Sequence, residues 1–270
     1  MNSIPHTKLK LLALGFIPFV GFLAAYLIPF IMTFRYSLLN SAFEKTAVGL
    51  DNYTYVLKNE YFRLGLYNLL KTGTAFCAAA FTLAMGIAWL MMKHNRLSRL
   101  AIGVLILPLM VPSICAVSLW QKEFDINILT APSLSMFALF TLFIWKCTGP
   151  AAVILYNALI NLPQDVTEAA ALDGSGEART FFCIQWPMLR SERMLSLLFL
   201  LMFYFRMYKE SYLMFGRYPP ENMYLIQHYM NNQYLKMNAQ YVSAAAGSLA
   251  VICLAAFSVS FLLRGKKHTP

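Results

Sequence analysis

Six stretches of this chain are each apolar over a length that crosses a bilayer, and no other feature constrains the fold as much. They run over about residues 11–34, 72–92, 100–120, 134–160, 194–215 and 241–263. A helix needs about 20 apolar residues to cross a hydrocarbon core roughly 30 Å thick. Lipid offers no hydrogen bonds, so a spanning segment of this length must satisfy its backbone as a helix. The expected architecture is an all-α integral membrane protein with six transmembrane helices, folded as a single transmembrane domain over residues 1–270. Composition agrees: 59% of residues are apolar and 13% charged, against about 45–50% and about 25% in soluble chains.

Lys8 and Lys10 precede the first run as they would in a signal peptide. The run is too long for that and lacks a small-residue cleavage site, so a retained span is expected. The net charge of +10 is read as cationic cytoplasmic loops rather than affinity for nucleic acid. One set of loops carries Lys8, Lys10, Lys93, Arg96, Arg99, Arg179, Arg190, Arg193, Arg264, Lys266 and Lys267. These loops are richer in cations than the segments 35–71, 121–133 and 216–240, which places both termini in the cytoplasm. Cys77, Cys115, Cys147, Cys183 and Cys253 show no metal-ligand spacing and read as small buried hydrophobes.

Prolines fall inside the spans: Pro18 and Pro29 in the first, Pro108 and Pro112 in the third, and Gly149-Pro150 in the fourth. Each proline frees a carbonyl that lipid cannot satisfy. Broken helices of this kind build midplane substrate sites in transporters, although any one of them can be a simple packing kink.

Residues 161–193 form a long cytoplasmic segment of mixed polarity. Pro163-Gln164-Asp165 suits a helix start, and Glu168 to Leu172 are strong helix formers. Asp173-Gly174-Ser175-Gly176 breaks that helix. Ser175 is expected to cap a second one, running from Ala178 to about Trp186 and stopping at Pro187. The product is a compact knob suited to docking a soluble partner.

Here the residues carry a resemblance. Glu168-Ala169-Ala170, three residues, Gly174, nine residues, Ile184, one residue and Trp186-Pro187 resemble the EAA loop of binding-protein-dependent ABC importer permeases, with Trp186 standing where leucine is usual. Val48-Gly49-Leu50-Asp51-Asn52-Tyr53, continued by Phe62 and Asn68, resembles a segment of carbohydrate permeases of the maltose and glycerol-phosphate type. Trp145 before an expected helix break, Leu162-Pro163, and the Gly216-Arg217-Tyr218-Pro219 turn also fit. The resemblance covers roughly residues 11–263 and points to the first of the two homologous permeases in such importers.

That resemblance implies the type I ABC importer permease fold with a cytoplasmic coupling loop over 161–193, half of a translocation pore in the cell membrane. Implied partners are a second homologous permease, two ATP-binding subunits, an extracytoplasmic solute-binding protein and a sugar substrate. No cofactor is expected on this chain, because ATP and Mg would be bound by the ATPase subunits. By residue-wise carry-over, Glu168, Ala169, Ala170, Asp173 and Gly174 would contact the ATPase. Phe143, Lys146, Cys147, Pro150, Phe203, Tyr204 and Met207 would form the substrate site. Trp145, Phe205 and Tyr208 add aromatic surface at similar depth, suited to sugar rings.

Lys146 stands out, since an ammonium inside a span must face a cavity or a partner. It either binds a carboxylated or phosphorylated sugar or pairs with Glu210, the only carboxylate well inside the spans; Arg206 and Lys209 could snorkel towards water. Two other classes compete. An enzyme is disfavoured: His6, His94, His228 and His268 are scattered, and there is no HExxH, GxSxG or phosphate-cradling loop. An ion-gradient-driven secondary transporter could use Lys146 and Glu210 as a proton relay, but would not need the 161–193 knob.

Overall fold

The structure, a computed structural model, describes residues 6–41, 44, 46–93, 95–123 and 131–265. Of the predicted cytoplasmic cations, Lys266 and Lys267 lie outside the described residues, as do the side chains of Lys8, Lys10, Arg96, Arg99 and Arg264. Most of the predicted outer segment 121–133 also lies outside them. Among the described residues the chain is helical apart from turns, and one isolated antiparallel bridge joins Leu39 to Ala47.

The apolar runs all lie in helices. The first is α1 (His6–Ser37), continuous through Pro18 and Pro29. After α2 (Asp51–Lys58) comes α3 (Glu60–Lys93), longer at its start than the 72–92 run predicts. The third run divides into α4 (Asn95–Met110) and α5 (Ser113–Glu123), bent by 90° at Val111-Pro112. The fourth is α6 (Pro132–Ile160), unbroken at Gly149-Pro150. Helix α7 (Gln164–Leu172), α8 (Glu177–Thr180), a π-helical turn (Phe181–Gln185) and α9 (Trp186–Met188) make up the loop after it. The fifth run forms α10 (Arg190–Arg206) and α11 (Tyr208–Phe215). Then come α12 (Ile226–Leu235) and the last apolar helix, α13 (Ala239–Gly265). Among the described residues, α1 from Pro18, α3 and α6 are each long and apolar enough to cross a membrane, and the bent α4–α5 pair makes a fourth such element.

The chain divides into two compact units, Met1–Arg63 with Tyr229–Pro270, and Leu64–His228. In the first, α13 packs against both α1 and α2. The Val48–Tyr53 segment folds back on the end of α1: Val48 donates to the Leu38 carbonyl at 2.9 Å. Buried Asn52 donates from Nδ2 to the carbonyls of Ser37 (2.9 Å) and Leu39 (2.7 Å). Gly49 takes φ 60° at the turn, where a side chain would be strained. The Tyr53 hydroxyl shares a 2.8 Å hydrogen bond with Ser37 Oγ. A Cβ on Gly247 of α13 would stand 2.7 Å from that hydroxyl, so glycine is needed for this approach.

In the second unit, α6 packs against α4 and α10, and α5 against α11. The core is aromatic: Phe76, Phe143 and Tyr204 meet with ring centroids 5.7–6.0 Å apart. Asn68 joins α3 to the segment after α11, donating to the carbonyls of Glu221 (2.6 Å) and Tyr224 (2.9 Å). Cys77 and Cys147 are buried as expected, but Cys115, Cys183 and Cys253 are exposed, because they fall on the outward faces of their helices.

Candidate functional site

The two regions singled out by sequence, the 161–193 loop and the mid-span charges, both lie in the second unit. In the loop, α7 ends at Leu172 and the chain turns back on itself. Asp173 N–H donates to Ala169 O, Gly174 N–H to Ala171 O and Ser175 N–H to Ala170 O, at 2.9–3.1 Å. Gly174 has φ 73°, the left-handed turn that closes a helix through its last carbonyls and favours glycine. Ala170 is buried beneath this turn, while Glu168, Ala169, Asp173 and Gly174 are exposed. Leu172, at the end of α7, is 89% exposed.

The second half of the knob departs from expectation in two places. Gly176, not Ser175, precedes α8, and the Ser175 hydroxyl accepts instead from Thr180 Oγ1 at 3.1 Å. Nor does Pro187 end the helix: the wider π turn at Phe181–Gln185 feeds directly into Trp186–Met188. Proline fits there because a helical first turn has no use for its missing N–H.

Trp186 is held by Phe81 and Phe181, at centroid distances of 6.1 and 6.2 Å, and by the Arg193 guanidinium 4.2 Å from its ring. At the end of α3, Lys93 lies 4.1 Å from the Trp89 ring and forms an ion pair with Glu177. Trp89 in turn meets Phe181 at 6.5 Å. Nothing in the local pattern of 161–193 points to Phe81, Trp89 or Lys93, because all three come from α3.

At mid-span, Lys146 is the central residue of α6 by position. Its Nζ donates to Glu210 Oε1 at 2.9 Å, and Ser113 Oγ of α5 donates to the same oxygen at 2.8 Å. Lysine and glutamate are both buried. A charge at the bilayer centre costs about 2.5–3.5 kcal/mol on insertion scales, and pairing offsets that cost for both residues. The pairing with Glu210, one of the two roles open to Lys146 in the sequence, is present in the structure.

Phe143, Cys147, Pro150, Tyr204 and Met207 are buried within the same unit, and Phe203 is half-exposed. Tyr204 hydrogen-bonds Thr72 of α3, and a Cβ on Gly73 would press on its ring at 2.9 Å. Trp145 precedes no break. It lies 5.0 Å from Trp120, whose Nε1 donates to Thr141 Oγ1 at 3.1 Å. The adjoining Gly149 exists for contact, since a Cβ there would overlap the Leu105 carbonyl of α4. The real interruption is at Met207, whose N–H donates to Tyr204 O at 3.0 Å. The Phe205 carbonyl at this break accepts from Gln227 Nε2 at 3.0 Å. Among the described residues no group of His, Cys, Asp or Glu could hold a metal.

Comparison with known proteins gives the same direction throughout. The trehalose/maltose transport system permease protein MalF of Thermococcus litoralis is 22% identical over 98% of this chain and 97% of its own length. The sn-glycerol-3-phosphate transport system permease protein UgpA of Escherichia coli is 26% identical over 54% of this chain and 55% of its own. Among solved structures, a chain of a bacterial ABC transporter involved in import of the acidic polysaccharide alginate superposes with a TM-score of 0.78. It is 18% identical and covers 97% of this chain and 98% of that one, so the two share a fold. The same fold match (TM-score 0.76, 16% identity, 98% of both chains) is found to that kind of transporter in complex with an alginate pentasaccharide-bound periplasmic protein. The sequence model of the family described as binding-protein-dependent transport system inner membrane component matches residues 80–266, and this multi-pass helical chain belongs to that family.

Proposed function

We propose that this chain is one of two permease subunits of an ATP-driven importer, lining half of the passage for a sugar or oligosaccharide. The observation that carries the reading is the 161–193 loop, in which an outward helix ends in the Gly174 turn and the segment after it packs through Phe181 and Trp186 on Trp89 and Phe81 of α3. Glu168, Ala169, Asp173 and Gly174 are the contact with an ATP-binding subunit, and Ala170, expected there from the sequence, is instead buried beneath the turn and supports it from within. The small side chain at 169 permits close approach, and the exposed Leu172 is the apolar anchor nearby.

Six crossings follow if α1, α3, the bent α4–α5 pair, α6, α10 with α11, and α13 each span once, as a single permease domain with both termini cytoplasmic. A second permease, two ATP-binding subunits and an extracytoplasmic binding protein complete the assembly. ATP and Mg belong to those subunits, and the chain itself is a conduit rather than an enzyme. Sugar transport is supported by relatives named for trehalose, maltose and glycerol phosphate and by the alginate importer. Phe143, Lys146, Cys147, Pro150, Tyr204 and Met207 shape the wall behind the passage, and Phe203 reaches its surface. A carrier driven by an ion gradient is not favoured, given membership of the binding-protein-dependent family and a Lys146–Glu210 pair closed off from water.

The test is to purify the tagged chain from its native membrane and measure uptake by the reconstituted assembly. A homologous permease and two ATPase copies should co-purify, and a labelled oligosaccharide should accumulate only with ATP and the binding protein. A chain that purifies alone and carries a substrate-dependent proton current would overturn the reading.

A further inference from the structure

Arg206 and Lys209 sit three residues apart on one exposed face of α10–α11. The same face is apolar towards the start of α10, where Leu195, Leu198 and Met202 are exposed at helical spacing. With α6 crossing the bilayer as proposed above, both cations lie near mid-depth, because Glu210, next to Lys209 and one turn from Arg206, meets Lys146 at the centre of α6. From there either interface is about 15 Å away, half of a roughly 30 Å core, which is beyond what a snorkelling side chain covers.

Among the described residues neither cation has an acid of its own. The ion pairs of the described residues are Lys93 with Glu177 and Lys146 with Glu210, so the neighbouring carboxylate, Glu210, is already taken. Lipid is excluded as a neighbour on cost, which leaves a watery passage or a partner chain. The surroundings suit a sugar. The Arg206 guanidinium lies 5.3 Å from the half-exposed Phe203 ring, and half-exposed Tyr208 and Tyr212 stand 5.7 Å apart on the next turn. Aromatic faces receive the apolar faces of pyranose rings, while a guanidinium and an ammonium bind anionic groups on them.

We infer that Arg206 and Lys209 read negative charge on the cargo, so that the imported sugar is an anionic carbohydrate, bearing carboxylate or sulfate. This sharpens the importer reading above and rests on it.

The test uses the complete assembly in ATP-loaded proteoliposomes with the binding protein outside. The probes are a uronic acid pentasaccharide, its carboxyl-reduced neutral counterpart, a sulfated pentasaccharide and maltopentaose. One or both charged probes should be taken up at least tenfold faster than the neutral ones, which also tells carboxylate from sulfate. Arg206→Gln with Lys209→Gln should remove that uptake while basal ATPase activity and subunit stoichiometry stay unchanged; Arg206→Lys with Lys209→Arg should retain it. Efficient uptake of neutral probes, indifferent to the Gln changes, would overturn the inference and leave the sugar importer standing. Charged uptake that survives the Gln changes would overturn the assignment to these residues. Loss of the second permease from the Gln variant alone would assign the cations to a salt bridge between permeases, overturning it too. Uptake of none of the four probes would overturn it together with the sugar reading.

Discussion

Lys146 and Glu210 are 64 residues apart in sequence and 2.9 Å apart in the fold, and Ser113 donates to the same carboxylate oxygen. Both charges are buried, so each depends on the other for its place in the membrane. Removing one partner of a buried pair costs about 3–5 kcal/mol, whereas replacing both with well-packed apolar residues is often neutral. Lys146→Met and Glu210→Leu should therefore each lower the thermal midpoint of the purified chain by several degrees. The double variant should recover most of the loss. Additive losses in the double variant would show that the two charges do not act as a pair.

Gly174→Asp should leave the assembly intact and uncouple it. The left-handed backbone at 174 costs a residue with a Cβ about 1–2 kcal/mol, which a folded permease tolerates. The added carboxylate, however, projects beside Asp173 on the proposed ATPase contact. ATP-driven uptake should fall more than tenfold with normal subunit stoichiometry. Wild-type uptake would remove Gly174 from the coupling contact.

The ion pair between Lys93 and Glu177 ties the end of α3 to the loop. It is partly exposed, so its worth in stability is under about 1 kcal/mol. The effect of Lys93→Glu should appear in transport per ATP hydrolysed rather than in the melting temperature. Adding Glu177→Lys should restore coupling. A double variant no better coupled than Lys93→Glu would show that the pair has no role in positioning the loop.

Gly149→Ala adds a Cβ where the Leu105 carbonyl already stands. Backbone is the obstacle, so α4 and α6 must separate, at a cost of about 1–3 kcal/mol typical of overpacking. A thermal midpoint unchanged within a degree would show that the two helices part freely.

His228 gives a pH dependence. Burial pushes its imidazole down to about 4, and Nδ1 accepts the Leu225 N–H at 3.1 Å, which only the unprotonated nitrogen can do. The unfolded chain binds a proton near pH 6.5. Between those values the unfolded state holds more protons, so stability is full above about pH 6.5 and falls as the pH drops towards 4. His228→Gln should flatten that part of the profile, measured as the difference in thermal midpoint from wild type. Parallel profiles for the two proteins would place the acid sensitivity elsewhere.

The helices, their boundaries to within a few turns, and the two-part loop after α6 were legible in the chain, because each depends on neighbours in sequence. Hydropathy summed over about 20 residues decides a span, and a glycine after a run of alanines decides where α7 turns. The loop's family spacing is local in the same way. The reading of Gly149-Pro150 as a break failed because glycine at that position serves the Leu105 carbonyl of another helix. Ser175 as a cap failed because its hydroxyl finds Thr180 instead.

What the sequence determined by itself, then, is that this is a helical membrane chain with a two-part loop after α6, since lipid imposes its demands on every residue in a span regardless of fold. Only the tertiary structure decided what the charges are for. Lys146, Arg206 and Lys209 look alike in a hydropathy window. Yet Glu210 reaches Lys146 and leaves the other two exposed. The energy of a charge in a medium of low dielectric is set by the few groups within several ångströms of it, and those groups are brought there by folding.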